Sequence, residues 1–180
     1  VVAAFAGQFD TAHREGCEIV RKSASVPVIQ SDLVVTSNGG YPLDQNIYQT
    51  VKGMTAAESC VNPGGVIIIV SSCIDGHGGE GFYRWFSESG SPEEVMQRII
   101  KIPLSETRPD QWEAQILARI LTKCKQVIIV SHHADTQLIE SMHMRHASTF
   151  DTALAIADDL LGYESEMVVI PNGVGVIMEQ

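Results

Sequence analysis

Ser37-Asn-Gly-Gly-Tyr-Pro-Leu-Asp-Gln-Asn-Ile-Tyr-Gln-Thr-Val-Lys-Gly-Met54 follows the apolar run Leu33-Val-Val35 and opens a helical pattern, so it reads as strand, glycine turn and helix. In open α/β sheets, polar groups in such a turn lie in the crevice at a strand's carboxyl end, where ligands bind. At about 100° per residue, Gln45, Gln49 and Lys52 share one side of the helix, and Ile47, Val51 and Met54 share the other. The apolar stripe is expected to pack on the sheet. The stripe with Gln49 and Lys52 then looks outward, into solvent or into a site.

The same alternation runs outward in both directions. Residues 1–5 read as a strand and 10–22 as a helix with Asp10 at its N-cap. Residues 32–36 form the next strand, ahead of a helix from about 44 to 60. Pro63-Gly-Gly65 is expected to stop that helix and launch 66–70, a β-branched run suited to a strand buried on both faces. A glycine-rich loop at 75–81 precedes a short aromatic helix at 82–87. A helix at 92–100 has Ser91 as cap and Pro92 at its first position, and another spans 109–123. A strand at 127–130, helices near 135–142 and 148–161, and a strand at 167–170 follow. Pro171-Asn-Gly173 reads as a turn, with 174–178 returning as a short edge strand. Strands alternating with helices predict one α/β domain with a doubly wound, mainly parallel sheet and helices on both faces, a Rossmann-like three-layer arrangement.

Composition narrows the function. With 180 residues, 44% apolar and 19% charged, the chain has the make-up of a globular domain with one core. A net charge of -10, with twelve Lys and Arg scattered along the sequence, argues against a nucleic-acid partner. No apolar run reaches the roughly 18 residues of a membrane span. Cys17, Cys60, Cys73 and Cys124 are widely spaced, which suits reduced, mostly buried thiols in the cytoplasm and offers no zinc-type ligand pair. The chain starts at Val1 without methionine, so a domain of a longer protein is expected.

Several constellations carry chemistry. Gly76-His-Gly-Gly-Glu-Gly81 matches G-x-G-x-x-G, but about 20 residues later stands Glu93-Glu-Val-Met-Gln-Arg98, a helical pattern where a dinucleotide site needs an acidic strand end. The loop therefore reads as a close-approach turn, at the rim of a site or purely structural. His77 and Glu80 in it suit acid/base chemistry or simple loop polarity. His132-His133 follow a strand, and His143 and His146 are three apart on an expected helical turn, with no third metal ligand nearby. Trp112, in the first turn of its helix, is either packing or an aromatic wall over a crevice. Lys52 with Gln49 is either a solvated pair or a clamp for a small carboxylate, close to donors from Asn38, Gly39 and Gly40.

The 37–54 segment resembles the signature of the C-terminal domain of the nickel-dependent lactate racemase family. Ala12-His-Arg-Glu-Gly16, Pro63-Gly-Gly65, Asp75-Gly-His-Gly-Gly-Glu-Gly81 and Arg108-Pro-Asp-Gln-Trp112 fit the same domain in order, so the resemblance spans residues 1–180. It implies racemisation or epimerisation of small 2-hydroxy acids with a nickel pincer nucleotide, by hydride transfer to and from the cofactor through a 2-keto acid. By the same resemblance, Gln49 and Lys52, with Tyr48 beside them, contact the substrate carboxylate and a neighbouring oxygen, and Trp112 lines the pocket. Asn38, Gly39, Gly40, His77 and Glu80 fall at its rim.

The family's N-terminal domain supplies the cofactor-tethering lysine, the histidine nickel ligand, the histidine acid/base pair and a substrate arginine. No counterparts to those segments occur in this sequence. The chain is thus expected to close over a cofactor held by its own N-terminal domain, and to bind no metal and be inactive alone. Two alternatives from other classes are a nicotinamide-dinucleotide oxidoreductase domain using residues 76–81 and a non-catalytic binding domain. The identity of the hydroxy acid and the oligomeric state are not legible in the sequence.

Overall fold

The computed structural model describes residues 1–162 and 165–179. Its centre is β3 (Val61–Val70), flanked by β2 (Ser31–Ser37) and β4 (Gln126–Val130), with β5 (Arg145–Ala147) and β6 (Met167–Ile170) at the edges. All four pairings are parallel, in the order β5-β4-β3-β2-β6. Ile67, Ile68 and Ile69 are fully buried, as expected of a strand covered on both faces.

Alternate strand residues divide the core in two. Val34, Ile67, Ile69, Val127 and Ile129 pack with α2 (Ile47–Cys60), α3 (Glu80–Ser87), α4 (Pro92–Ile100), α5 (Gln111–Lys123) and α6 (Thr136–Ser141). Leu33, Val35, Val66, Ile68, Ile128 and Val130 pack with α7 (Phe150–Leu161). The chain moves from β2 to β5 in one direction, then α7 carries it back past β2 to β6. Right-handed crossovers in opposite directions place helices on opposite faces, so this reversal produces the expected three layers.

Some elements differ from the sequence reading. Residues 1–6 form no strand, and Val1 and Val2 are exposed. Both positions beside β2, the first strand of the main sheet, are taken by β3 and β6. The first helix, α1 (Phe9–Ala24), has Gln8 rather than Asp10 at its N-cap; Asp10 sits in the first turn, where a carboxylate suits the helix dipole. Pro63-Gly-Gly65 does not stop α2. That helix passes directly into β3 at Val61, and the three residues lie in an irregular part of β3 where the register with β2 shifts between Ser31 and Leu33. A strand tolerates proline at such an irregularity.

The last strand, β7 (Ile177–Glu179), does not edge the main sheet. It pairs in parallel with β1 (Ser25–Pro27), a separate two-stranded ribbon. Among the described residues, no helix is long and apolar enough to cross a membrane.

Candidate functional site

The crevice between β2 and β6, where the crossover direction reverses, is filled by the chain itself. The Ser37 hydroxyl donates to the Pro171 carbonyl at 2.6 Å, and the Gly173 amide donates to the Ser37 carbonyl at 3.0 Å. A Cβ on Gly173 would lie 2.4 Å from the Gly53 carbonyl. The Asn38 side chain is buried and fully used, donating to the Leu43 carbonyl and accepting from the Gly53 amide at 2.9 Å. Asn38 therefore anchors α2 instead of offering donors to a ligand. Gly39 faces the Asn172 side chain, and Gly40 borders open space.

The glycine loop also serves α2. The amides of Ile47 and Tyr48 donate to the carbonyls of Gly76 and His77, and Asn46 caps the helix by accepting from the Gln49 amide at 2.9 Å. Gly78 (φ +81°) leaves room only for Asn46, whose side chain a Cβ would meet at 2.5 Å. A dinucleotide loop needs that space for pyrophosphate. Here it is occupied, and α4 stands where an acidic strand end would be required. His77 stacks on Tyr83 with ring centres 4.9 Å apart and accepts from the Gly79 amide at 2.9 Å; Glu80 pairs with Arg84 at 2.8 Å. Both residues are engaged within the loop and α3.

The outward stripe of α2 meets the first turn of α5. Lys52 Nζ donates to Gln49 Oε1 at 2.6 Å and lies 5.8 Å from the centre of the Tyr48 ring. Tyr48 stands edge-on to Trp112 at 6.2 Å and to Phe82 at 5.3 Å. Trp112 is 52% exposed, so it forms an open wall and is not core packing. The Tyr48 hydroxyl donates to Asp110 Oδ1 at 3.2 Å. Asp110 holds the N-cap position of α5 in a left-handed conformation (φ +61°), and its side chain makes no cap bond because it serves Tyr48. The structure thus brings Tyr48, Gln49, Lys52 and Trp112 together, with Asp110 added.

One further group escaped the sequence. Glu113 is completely buried, and neither carboxyl oxygen has a hydrogen-bond partner among the described residues. Burial pushes its pKa up to about 7, the Lys52 charge opposes that rise, and the Asp110 charge adds to it. Burial, then the Asp110 hydrogen bond and the charges of Asp110 and Glu113, raise the Tyr48 phenol to about 12, so it stays a donor at neutral pH. A cation, an amide and an aromatic wall make a receptor for a small planar anion such as a carboxylate.

Other expected groups lie elsewhere. His132 and His133 line a crevice of about 270 Å³ at the ends of β3 and β4, shared with Asp44, Ser71 and Ser131. His143 closes α6 in a left-handed conformation (φ +62°) and His146 lies in β5, so they do not share a helical turn. His146 is held by Thr136 at 2.7 Å and by the Ser131 carbonyl at 2.8 Å. Cys60, Cys73 and Cys124 are buried, and Cys17 is exposed on α1.

The basic residues are less scattered than their sequence positions suggest. Arg84, Arg98 and Arg108 line a cleft of about 410 Å³ with Trp85, Glu88 and Asp110. Two of the guanidinium groups lie 5.1 and 5.7 Å from the centre of the Trp85 ring. These three come from different loops and helices, so no local sequence pattern announces the cluster.

A family model described as the lactate racemase C-terminal domain matches residues 9–178. The chain is similar to a lactate racemase of Thermoanaerobacterium thermosaccharolyticum, with 53% identity over 180 residues, 100% of this chain and 42% of that protein. It is also similar to a lactate racemase of Lactiplantibacillus plantarum, with 48% identity over 179 residues, 99% of this chain and 42% of that protein. The solved structure of the T. thermosaccharolyticum lactate racemase apoprotein superposes with a TM-score of 0.94 at 52% identity, covering 99% of this chain and 43% of that one. The chain therefore spans well under half the length of the relatives it matches.

Proposed function

The chain belongs to the lactate racemase C-terminal domain family, and from that premise we propose that it is the carboxylate-binding half of a 2-hydroxy acid racemase. The observation that carries this reading is the clamp on α2 and α5: Lys52 Nζ held 2.6 Å from Gln49 Oε1 and beside the Tyr48 ring, which stands edge-on to the exposed Trp112. Lys52 supplies charge, Gln49 orients the ammonium, the Tyr48 ring, fixed by its hydroxyl's bond to Asp110, flanks the ammonium, and Trp112 shields the α-carbon side from water. Holding the carboxylate in one geometry aligns the α-carbon with a reacting group on a facing domain, which is where much of the rate gain in such a reaction lies.

The partner in this reading is the protein's own N-terminal domain, and the activity of the whole protein is racemisation or epimerisation of a small 2-hydroxy acid, with lactate the first to test. A nickel pincer nucleotide is the proposed cofactor. Among the described residues, no three His, Cys, Asp or Glu side chains converge so as to hold a metal ion. We assign the cofactor to the other domain and derive no step through it.

The test is Lys52→Ala in the full-length, cofactor-loaded protein. Losing one partner of a desolvated charge-assisted contact costs about 2 kcal/mol or more, a loss of roughly 30-fold in kcat/KM for lactate. Racemisation at the parental rate would remove Lys52 from the site.

A further inference from the structure

A buried carboxyl with both oxygens unpartnered is rare in a folded protein and calls for an explanation. Glu113 is such a group, placed one residue after the Trp112 wall and three after Asp110. Structure alone supplies no reason for it: an apolar side chain of similar length would fill the same position without the unsatisfied oxygens. What distinguishes the position is its neighbourhood. Glu113 feels the Lys52 charge, and Tyr48 feels the Glu113 charge. No ion pair within 4 Å joins Glu113 to Lys52 in this structure, where the ammonium is bound to Gln49.

We propose that Glu113 is a positioning residue for the Lys52 clamp: its carboxyl competes with the substrate's carboxylate for the Lys52 ammonium. The clamp accepts an anion readily while Glu113 is neutral, and less readily once Glu113 is ionised. The inference rests on the reading of Lys52 as the carboxylate-binding cation. The groups that face Glu113 are Lys52 and Tyr48 from α2 and Asp110 from the start of α5. α3 and α4, which also pack on α5, place Arg84 and Arg98 in the cleft that Asp110 borders, and β3 meets α5 with apolar side chains. Asp110 is committed to Tyr48, Arg84 to Glu80 and Arg98 to Glu88, and Arg108 lies over the Trp85 ring in that cleft, whereas Lys52 is the cation whose charge acts on Glu113.

The charge of Glu113 changes near neutrality, which makes the competition measurable. Binding an anion at Lys52 favours the neutral carboxyl, so by linkage the parental protein takes up protons as it binds substrate near pH 7. The experiment uses the full-length holoenzyme with lactate. In the parent, KM rises at least about fivefold from pH 6 to pH 8, and in Glu113→Gln it is low and flat over that range. The parental pH slope persisting in Glu113→Gln would overturn the proposal.

Should that variant not fold, the parent alone decides. Calorimetric binding of lactate in buffers of different ionisation enthalpy gives net proton uptake near pH 7 if the proposal holds; no uptake overturns it. Lys52→Ala separates the two readings. If it leaves KM unchanged, the carboxylate site itself is misassigned; if it raises KM while Glu113→Gln keeps the parental slope, only the role of Glu113 fails.

Discussion

Gly78 holds the site in place by lacking a side chain. Its φ of +81° is a conformation L-residues avoid, and a Cβ there would press on Asn46, the residue that caps α2. Gly78→Ala is expected to cost more than about 1 kcal/mol, from backbone strain together with displacement of the cap. Chemical denaturation measures this, and an unchanged midpoint would contradict it. The Glu113 carboxyl makes stability depend on pH. Its folded-state pKa is raised, from 4.5 to about 7, so the folded protein binds the proton more tightly than the unfolded chain does. For a carboxyl raised in this way, stability is greatest below the unfolded value and falls as pH climbs from about 4.5 through 7, by on the order of 3 kcal/mol. Glu113→Gln should remove that component. Thermal melts at pH 5 and pH 8 would then fall further apart in the parent than in the variant, and equal separations would refute the burial argument.

At the scale of elements, the site is the meeting of two helix starts. Asn46 gives α2 its first turn, and Asn46→Ala is expected to lose about 1 kcal/mol, with KM for lactate rising because Tyr48 and Gln49 sit in that turn. A variant with lowered stability but unaltered KM would separate the cap from the site. Gln49 and Lys52 are three apart on one helix, and the 3.6-residue period places them on a common outward face without any tertiary information. Ser91 and Pro92 mark the start of α4 just as plainly. β1 and β5 are three residues long and carry no periodicity to detect, and residues 1–5 have strand composition but pair with no strand. Trp112 reached the site through family resemblance, because its contact with Tyr48 spans 64 positions of sequence. Glu113 and the Arg84–Arg98–Arg108 cleft were not legible for the same reason: burial and clustering arise only when α5 packs beside α2, α3 and α4.

Across the whole molecule, stability is concentrated at the centre of the sheet. β3 and β4 carry fully buried residues on both faces, whereas α1 buries none and touches little beyond β1. In this chain expressed alone, amides of 66–70 and 127–130 should exchange slowest with solvent and those of α1 fastest among the helices. Comparable protection in α1 would mean that the helix is held by contacts the structure does not contain. A rigid sheet bearing a polar clamp on its outer helices suits a domain that closes over a partner.

Where the carboxylate binds is seen directly in a structure of the full-length protein with a bound 2-hydroxy acid. The prediction is a carboxylate oxygen within hydrogen-bond distance of Lys52 Nζ, with Trp112 against the ligand. A carboxylate seated instead among Arg84, Arg98 and Arg108, or beside His132 and His133, would contradict it.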